Sequence, residues 1–276
     1  MPALGTTMPE TGAPCWVSLV TPDPDAARSF YARVMGWEFR DSSLGRDFSV
    51  AVAEGEPVAG MGYCHSQGLP ARWTPYFAVA DADETADRVR ERGATLAVGP
   101  ARLGGGRAAL AADRDGAAFG FWEGPALAWT VGQGSAPARL DLMTRHAFEA
   151  AIFYAEIFDW AKSSGGCTVD YAQDHVVVQV AGHTVATLRG GGIESAPDPT
   201  MRPRWVVDFH VADSRATAEA ADAAGGVASP APPPLGCSKD AYIIRDPSGA
   251  LFTVSGAASV PGAVRGGAAS VPGAVT

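Results

Sequence analysis

The sequence lacks the cysteine pairs that mark disulfide frameworks and thiolate zinc sites. Its four cysteines lie far apart and none of them forms a C-x-x-C pair: Cys15, Cys64, Cys167 and Cys237. Disulfide-rich domains and structural zinc sites depend on closely spaced cysteines. We therefore expect neither kind of framework in this chain.

A basic leader, a long apolar run and a positive net charge are also missing. The first residues, MPALGTTMPETGAPC, contain no basic segment followed by an apolar one. No stretch reaches the roughly 18 uninterrupted apolar residues that a membrane span needs. The formal net charge of -9 gives no field that would attract nucleic acid or an anionic membrane. We expect a cytoplasmic protein with neither as a partner.

What the sequence does contain is typical of a folded protein with more than one domain. Apolar residues make up 47% and charged residues 18% of the 276 residues, which excludes disordered and collagen-like classes. A chain of this length is longer than most single domains. The composition and length together predict two domains, each with its own core.

An internal repeat supports this division. The segment WVSLVTPDPDAARSFYARVMGWEF, from Trp16, aligns with RLDLMTRHAFEAAIFYAEIFDWAK, from Arg139, so that Phe30 matches Phe153. A later pair, RWTPYFAVADADETADRVRERGA from Arg72 and RWVVDFHVADSRATAEAADAAGG from Arg204, continues the match. A repeat this long indicates a duplicated domain and not a solenoid, whose repeats span about 20 to 50 residues.

Each copy shows the order strand, helix and three short strands, twice over. Ala27, Phe30 and Val34 recur at helical spacing, and Gly36 follows as a C-terminal cap. The resulting boundaries are a flexible N-terminus at 1–13, a first domain at 14–124, a linker at 125–137, a second domain at 138–256 and a disordered low-complexity tail at 257–276. The Gly, Pro, Ala and Ser content of the linker and the repeated GAASVPGAV of the tail support these limits.

The phrase D-x-x-x-A-x-x-FY-x-x-x-x-GW after a short strand, followed by VAD, a helix and D-x-x-G, resembles the vicinal oxygen chelate superfamily. This superfamily comprises glyoxalases, bleomycin resistance proteins and extradiol dioxygenases, and the resemblance extends to about Ser255. It implies an α+β fold of tandem domains, each built from two βαβββ modules whose curved mixed sheets surround a cavity. More narrowly, the sequence looks like the two-domain actinobacterial members that are often labelled glyoxalase or hydroxylase. Exchange of modules between the two copies stays open.

The resemblance also identifies the positions at which metal-using members hold their ligands. Counting from the helices places these positions at Trp16, Thr74 and Gly120 in the first copy and at Arg139, Val206 and Thr253 in the second. None of the six is His, Glu, Asp or Cys, the residues that hold divalent ions. We expect no metal and no other cofactor, and therefore none of the Lewis-acid chemistry that the family shares.

Strand alternation predicts which side chains face the cavities. Asp208 and His210 share one face of a strand, where a carboxylate can orient an imidazole as a general base. The alternative is a solvent-exposed His210 and an Asp208 paired with Arg204. The candidate ligand-binding residues are Trp16, Ser18, Tyr76, Trp122, Arg139, Asp141 and Thr253. Tryptophans suit stacking on a planar ligand and Arg139 with Asp141 suits an anion, although core filling and a structural ion pair are the alternatives.

These residues favour a metal-independent tailoring enzyme that acts on an aromatic or polyketide-like small molecule, with Asp208 and His210 moving protons. A drug- or metabolite-sequestering protein of the bleomycin resistance type is the alternative. A metal-dependent glyoxalase or dioxygenase is disfavoured by the ligand positions, and an inert scaffold is a further option. Since duplication supplies internally the pairing that single-domain relatives obtain by dimerising, we expect a monomer or a weak homodimer.

Overall fold

The computed structural model describes residues 6–42, 44–63, 71–160, 166–172, 174–190, 202–231 and 240–256. The tail predicted at 257–276 lies outside these residues. None of the described helices is long and apolar enough to cross a membrane.

The first repeat contains two helices and the strands of one sheet, and two short strands flank it and pair with each other. In chain order its elements are β1 (Thr6–Thr7), β2 (Pro14–Thr21), α1 (Pro24–Met35), β3 (Glu38–Ser42), β4 (Gly45–Ala53), β5 (Glu56–Tyr63), β6 (Arg72–Ala78), α2 (Ala82–Glu91), β7 (Thr95–Leu103), β8 (Gly106–Ala112), β9 (Ala118–Glu123) and β10 (Ala126–Leu127). The pattern strand, helix and three strands occurs twice, as the sequence predicts.

The second repeat has the same order of elements. They are β11 (Arg139–Met143), α3 (Ala147–Phe158), β12 (Cys167–Tyr171), β13 (His175–Val180), β14 (His183–Arg189), β15 (Arg204–Val211), α4 (Ser214–Ala223), β16 (Val227–Pro230), β17 (Tyr242–Arg245) and β18 (Leu251–Gly256). The α+β tandem architecture is therefore confirmed.

Each repeat forms its own eight-stranded mixed sheet. The strand order is β3-β4-β5-β2-β6-β9-β8-β7 in the first and β12-β13-β14-β11-β15-β18-β17-β16 in the second. Within each sheet the two modules meet at an antiparallel pair, β2 with β6 and β11 with β15, while the flanking pairs β2–β5 and β6–β9 are parallel. Among the described strands none is exchanged between the two repeats, so each sheet carries side chains of one repeat only.

Local signals explain where the helices begin and end. Asp23 caps α1 by accepting a hydrogen bond from the Ala26 backbone N–H, and Pro24 stands at the first helical position. Gly36 ends α1 in the left-handed conformation with φ of 68°, which glycine adopts without strain. The predicted apolar stripe of this helix is buried, which fixes its rotation against the sheet: Ala27, Phe30 and Val34.

The two repeats share one core. Helix α1 packs against α4, and α2 packs against α3. Aromatic rings cross the boundary, as in the stacking of Phe77 on Phe158 at 4.6 Å and the contact of Trp37 with Phe209 at 5.1 Å. Because rings of each repeat are covered by rings of the other, neither repeat completes its hydrophobic core alone.

The segments outside the two sheets also make specific contacts. Strand β1, within the part expected to be flexible, pairs with β10, within the part expected to be a linker. The Trp160 indole donates a hydrogen bond to the Gly12 carbonyl, and Trp129 donates to the Val58 carbonyl. These contacts attach both segments to the body of the fold.

Candidate functional site

The face of the second sheet that is turned away from the shared core carries a group of charged and hydroxyl side chains, which we call the polar face. It comprises Arg139, Asp141, Thr187, Arg189, Asp208, Thr253 and Ser255. Alternation along β11 explains the grouping, since Leu140 and Leu142 point into the core and the residues between them point away. The strand register then places residues of neighbouring strands side by side on this face: Arg139 is opposite Asp208, and Asp208 is beside Thr253.

Asp141 is the central charge of the polar face and has 0% exposure. Its carboxylate contacts Arg139 Nε at 2.5 Å and Arg189 Nε at 3.5 Å. Burial raises the pKa of Asp141 to about 6, although both guanidinium groups act to lower it. Asp141 therefore changes charge much closer to neutral pH than an exposed aspartate does.

Asp208 lies one strand away and is 1% exposed. Its Oδ2 atom accepts a hydrogen bond of 2.7 Å from the Ser255 hydroxyl. Its Oδ1 atom is buried and has no hydrogen-bond partner in the described part of the chain. A buried carboxylate oxygen without a partner is costly in a folded protein, which is why such an atom often marks a place where a ligand binds.

His210 shares the face of Asp208 but lies at the exposed end of β15. In register it is opposite Ser255, the residue that donates to Asp208. Within the described ranges the two side chains predicted to form a dyad share no hydrogen bond, and Ser255 is the observed partner of Asp208. Asp208 and His210 therefore lie on the same face of β15, but Asp208 is buried and His210 is exposed.

An apolar floor adjoins these charges. Met143 and Val206 are buried on the polar side of the second sheet and form a small cluster of their own, separate from the shared core. Ile243 and Ala231 pack against them. Apolar surface flanked by a few polar groups is the usual anatomy of a small-molecule site.

The first sheet carries aromatic side chains on its corresponding face, which we call the aromatic face: Trp16, Ser18, Phe48, Tyr76 and Trp122. All four rings are partly exposed. Glycines lie beneath them, so that a Cβ at Gly60 would be 2.3 Å from Phe48 and a Cβ at Gly120 would be 2.3 Å from Tyr76. The rings therefore occupy the space directly over the sheet.

Two further contacts define the aromatic face. The Trp16 ring lies 5.8 Å from that of Trp129 in the segment between the sheets. Burial raises the pKa of the Tyr76 hydroxyl, and the Ser18 hydroxyl beside it acts in the opposite direction. Because the two faces belong to different sheets, the structure does not bring Trp16, Ser18, Tyr76 and Trp122 together with Arg139, Asp141, Asp208, His210 and Thr253.

Arg189 belongs to the polar face, although the sequence patterns did not single it out. It lies at the end of β14, which pairs in parallel with β11 and places Arg189 beside Met143. The signal was present in the strand HTVATLR, where Thr187 and Arg189 share one parity. The strand pattern does not show that β14 is the neighbour of β11, because strand pairing depends on the topology of the sheet.

The residues at the family's ligand positions do not fit a divalent metal. The guanidinium group of Arg139 lies beside Asp141, and its positive charge opposes the binding of a metal cation at the same position. Tyr76 covers Gly120 in the first sheet, where a ligand carboxylate would otherwise stand. Among the described residues no three His, Cys, Asp or Glu side chains converge on a common point.

A separate cavity of about 480 Å³ lies where the two repeats meet the N-terminal segment. Its walls include Glu10, Pro14, Pro57, Trp129 and Val185. No residue of the polar face lines it. The cavity is therefore distinct from the polar face.

Comparison with known proteins places this geometry in context. The sequence matches the model of the Glyoxalase/Bleomycin resistance protein/Dioxygenase superfamily over residues 15–121 and that of a Glyoxalase-like domain over residues 138–255. It is 31% identical over 252 residues to a putative glyoxylase, CFP32, of Mycobacterium tuberculosis, covering 88% of this chain and 94% of that protein. It is also 31% identical over 265 residues to the anthracycline biosynthesis protein DnrV of Streptomyces peucetius, covering 88% and 92% respectively.

Solved structures match at the level of the fold. The Mn(II)-bound glyoxalase from Novosphingobium aromaticivorans aligns with a TM-score of 0.55 at 16% identity, covering 90% of this chain and 82% of that chain. The 2,3-dioxygenase LapB from Pseudomonas sp. KL28 aligns with a TM-score of 0.55 at 14% identity, covering 91% and 94%. At these identities the likeness concerns architecture and carries no statement about chemistry.

Proposed function

Because the chain belongs to the Glyoxalase/Bleomycin resistance protein/Dioxygenase superfamily, we propose that it is a metal-independent tailoring enzyme acting on an aromatic, polyketide-like small molecule at the polar face. The proposed reaction is an isomerisation by proton transfer. The proposal rests on one observation above all, the buried Oδ1 atom of Asp208 that has no hydrogen-bond partner among the described residues.

Asp208 is suited to the role of proton acceptor. Its Oδ2 atom is held by Ser255, so the carboxylate is oriented while Oδ1 stays available. In the proposed step Oδ1 takes a proton from a saturated ring carbon that is conjugated with a ligand carbonyl through the ring system. The C–H electron pair enters the ring system and the carbonyl π pair moves onto the oxygen, which then takes a proton from water to complete the enol. No oxidant or reductant is required.

Two neighbours support this step. Arg139 lies directly opposite Asp208 in the antiparallel pair, which brings Cβ atoms to about 5 Å, so its guanidinium group is placed to stabilise a developing oxyanion. His210, at the exposed end of β15, is placed to exchange protons between the site and water. The apolar floor of Met143 and Val206 supports a planar ring system.

The curated relatives support the substrate class. One of them is named an anthracycline biosynthesis protein, and it matches this chain over nearly its whole length. Anthracyclines are aromatic polyketides, which carry carbonyl groups on fused rings. The proposed step uses no metal, because the Arg139 guanidinium beside Asp141 opposes a divalent ion there.

Exchange of the C10 protons of anthrone for deuterium tests the proposal directly. Anthrone is a tricyclic ketone that forms its enol by the same proton abstraction, and proton NMR in D2O follows the exchange. We expect the protein to accelerate exchange and Asp208→Asn to lose about 10²-fold or more of that acceleration. Asp87→Asn, at an exposed helical carboxylate paired with Arg90, is the matched control. Exchange at the wild-type rate in Asp208→Asn contradicts the proposal.

Binding without conversion is the second candidate, and it is favoured because the predicted Asp208–His210 pairing is not seen within the described ranges. His210 is exposed, and Asp208 accepts its hydrogen bond from Ser255 instead. A sequestering protein needs no base, so His210→Ala would leave ligand affinity within a few fold. Tight binding of anthrone without accelerated exchange would favour this candidate over the enzyme.

A further inference from the structure

The polar face holds further buried polar atoms that make no hydrogen bond among the described residues, and one of them, Arg189 Nε, lies at the opposite end from Asp208. The Arg189 Nε atom is buried and makes no hydrogen bond in the described part of the chain, although it lies 3.5 Å from the Asp141 carboxylate. Arg189 and Asp208 differ in chemistry, since one donates and the other accepts. A ligand that satisfies both must therefore carry an acceptor at one end and a reacting hydrogen at the other.

We propose that Arg189 and Asp141 form a subsite for an ionised carboxylate of the ligand, and that Asp141 takes up a proton from solvent when this carboxylate binds. The substrate is accordingly an aromatic acid, and this inference rests on the proposed function because both use the polar face. It adds a substrate class and a proton linkage that the isomerisation alone does not require.

The distance between the two ends of the polar face suits a fused-ring acid. Arg189 is level with Met143 and Asp208 is level with Arg139. These two levels are four residues apart on β11, which corresponds to about 13 Å along the strand. Val206 is level with Asp141 and lies between these two levels, while Met143 extends the apolar floor at the Arg189 end. A ring system lying on this floor would place its carboxylate at Arg189 and its reactive carbon at Asp208.

Charge explains the proton uptake. With no ligand, Asp141 is the anion that contacts Arg139 and Arg189. A ligand carboxylate bound to Arg189 would put a second negative charge beside Asp141 in a buried site, which disfavours two ionised carboxylates. Burial has already raised the pKa of Asp141 to about 6, so protonation near neutral pH costs little.

Several other charged groups lie around Asp141. Arg139 on β11 and Arg189 on β14 favour its ionised form, and Asp208 on β15 disfavours it. Arg204, also on β15, is level with Met143. His175 on β13 is opposite Arg189 and pairs with the exposed Asp174, so it lies on the far side of Arg189 from Asp141.

Two ligands that differ only in the acid group provide the test. Anthraquinone-2-carboxylate and its neutral counterpart 2-(hydroxymethyl)anthraquinone are titrated into the full chain by isothermal calorimetry at pH 7. Buffers of different ionisation enthalpy report the number of protons exchanged. We expect the carboxylate to bind at least 10-fold more tightly, with uptake close to one proton, and the alcohol to bind with none.

Variants assign the effect to residues. Arg189→Gln is expected to remove the preference for the carboxylate, whereas Arg215→Gln, at a largely exposed arginine paired with Glu219, keeps it. Asp141→Asn resembles the protonated form, so it should keep the carboxylate affinity and lose the proton uptake. Proton uptake that persists in Asp141→Asn overturns the assignment to this residue.

The outcomes separate this inference from the proposed function. Equal affinity for the two ligands, carboxylate binding without proton uptake, or no binding of either overturns the carboxylate subsite. If Asp208-dependent exchange of anthrone is still observed, only the subsite has failed. If carboxylate preference and proton uptake are observed without any accelerated exchange, the subsite stands and the enzyme proposal fails.

Discussion

The hydroxyl of Tyr154 donates a hydrogen bond of 2.9 Å to the Asp113 carboxylate, which belongs to the other repeat. Tyr31 makes the equivalent bond to Asp246 at 3.1 Å, in the opposite direction across the boundary. Each tyrosine also accepts from an indole of its own repeat, Trp205 or Trp73. The duplicated sequence thus connects its two halves by a pair of reciprocal three-residue chains of hydrogen bonds.

Removing either tyrosine hydroxyl should destabilise the whole chain. Tyr154→Phe leaves the Asp113 Oδ2 atom and the Trp205 indole N–H without their buried partner, which costs about 1–3 kcal/mol of unfolding free energy. Tyr31→Phe should cost a similar amount. Denaturant unfolding measures both, and Tyr171→Phe, at a ring that is 57% exposed, is the control. A loss in Tyr171→Phe as large as in the buried pair would contradict this explanation.

The unfolding free energy should depend on pH through the titration of Asp141. Its folded pKa of about 6 lies above the unfolded value of 3.8, so the native state binds more protons between pH 4 and pH 6. The unfolding free energy therefore falls as the pH rises through this window, by on the order of 3 kcal/mol from this group.

Comparison with a variant isolates that contribution, because the buried carboxyl groups of Asp113 and Asp246 also have raised pKa values. Asp141→Asn cannot titrate and should show a smaller fall in unfolding free energy between pH 4 and pH 6. Chemical denaturation at closely spaced pH values measures the difference. Parallel curves for the wild type and the variant would show that Asp141 is not the group responsible.

The aromatic face should tolerate no side chain at Gly120. A Cβ there would lie 2.3 Å from the Tyr76 ring, so Gly120→Ala must displace that ring at a cost of about 1–3 kcal/mol. Gly105→Ala has open space and serves as the matched control. Thermal unfolding compares the two, and equal midpoints would mean that Tyr76 moves away freely.

Metal removal should leave the proposed reaction unchanged. The Arg139 guanidinium stands at a family ligand position, and the proposed proton transfer depends on Asp208 and Ser255 instead. We expect anthrone exchange to proceed at the same rate before and after dialysis against EDTA. Loss of exchange upon dialysis, with recovery on adding Mn²⁺, would restore a metal mechanism.

Because the two repeats share one core, the chain should be a monomer. Packing of α1 on α4 and of α2 on α3 buries within one chain the faces that a single-domain relative would bury by dimerising. We expect light scattering at micromolar concentration to give a mass near 28.4 kDa. A mass twice as large that persists on dilution would contradict a monomer.

The sequence by itself determined the periodic features of this protein. The stripe of Ala27, Phe30 and Val34 and the cap at Gly36 predicted α1 correctly, because helical spacing and left-handed glycine are local properties. Alternation likewise placed Arg139 with Asp141 on one face of β11, since successive side chains of a strand always point to opposite sides.

Only the tertiary structure decided which of these faces meet. Strand pairing depends on contacts between residues far apart in the chain, and it separated Trp16 and Tyr76 from Asp208 by placing them in different sheets. The same pairing brought Arg189 to Asp141 and Ser255 to Asp208, while His210 was left at an exposed strand end. Local periodicity specifies which side of a strand a residue occupies, whereas its chemical partner depends on the neighbouring strand and the register.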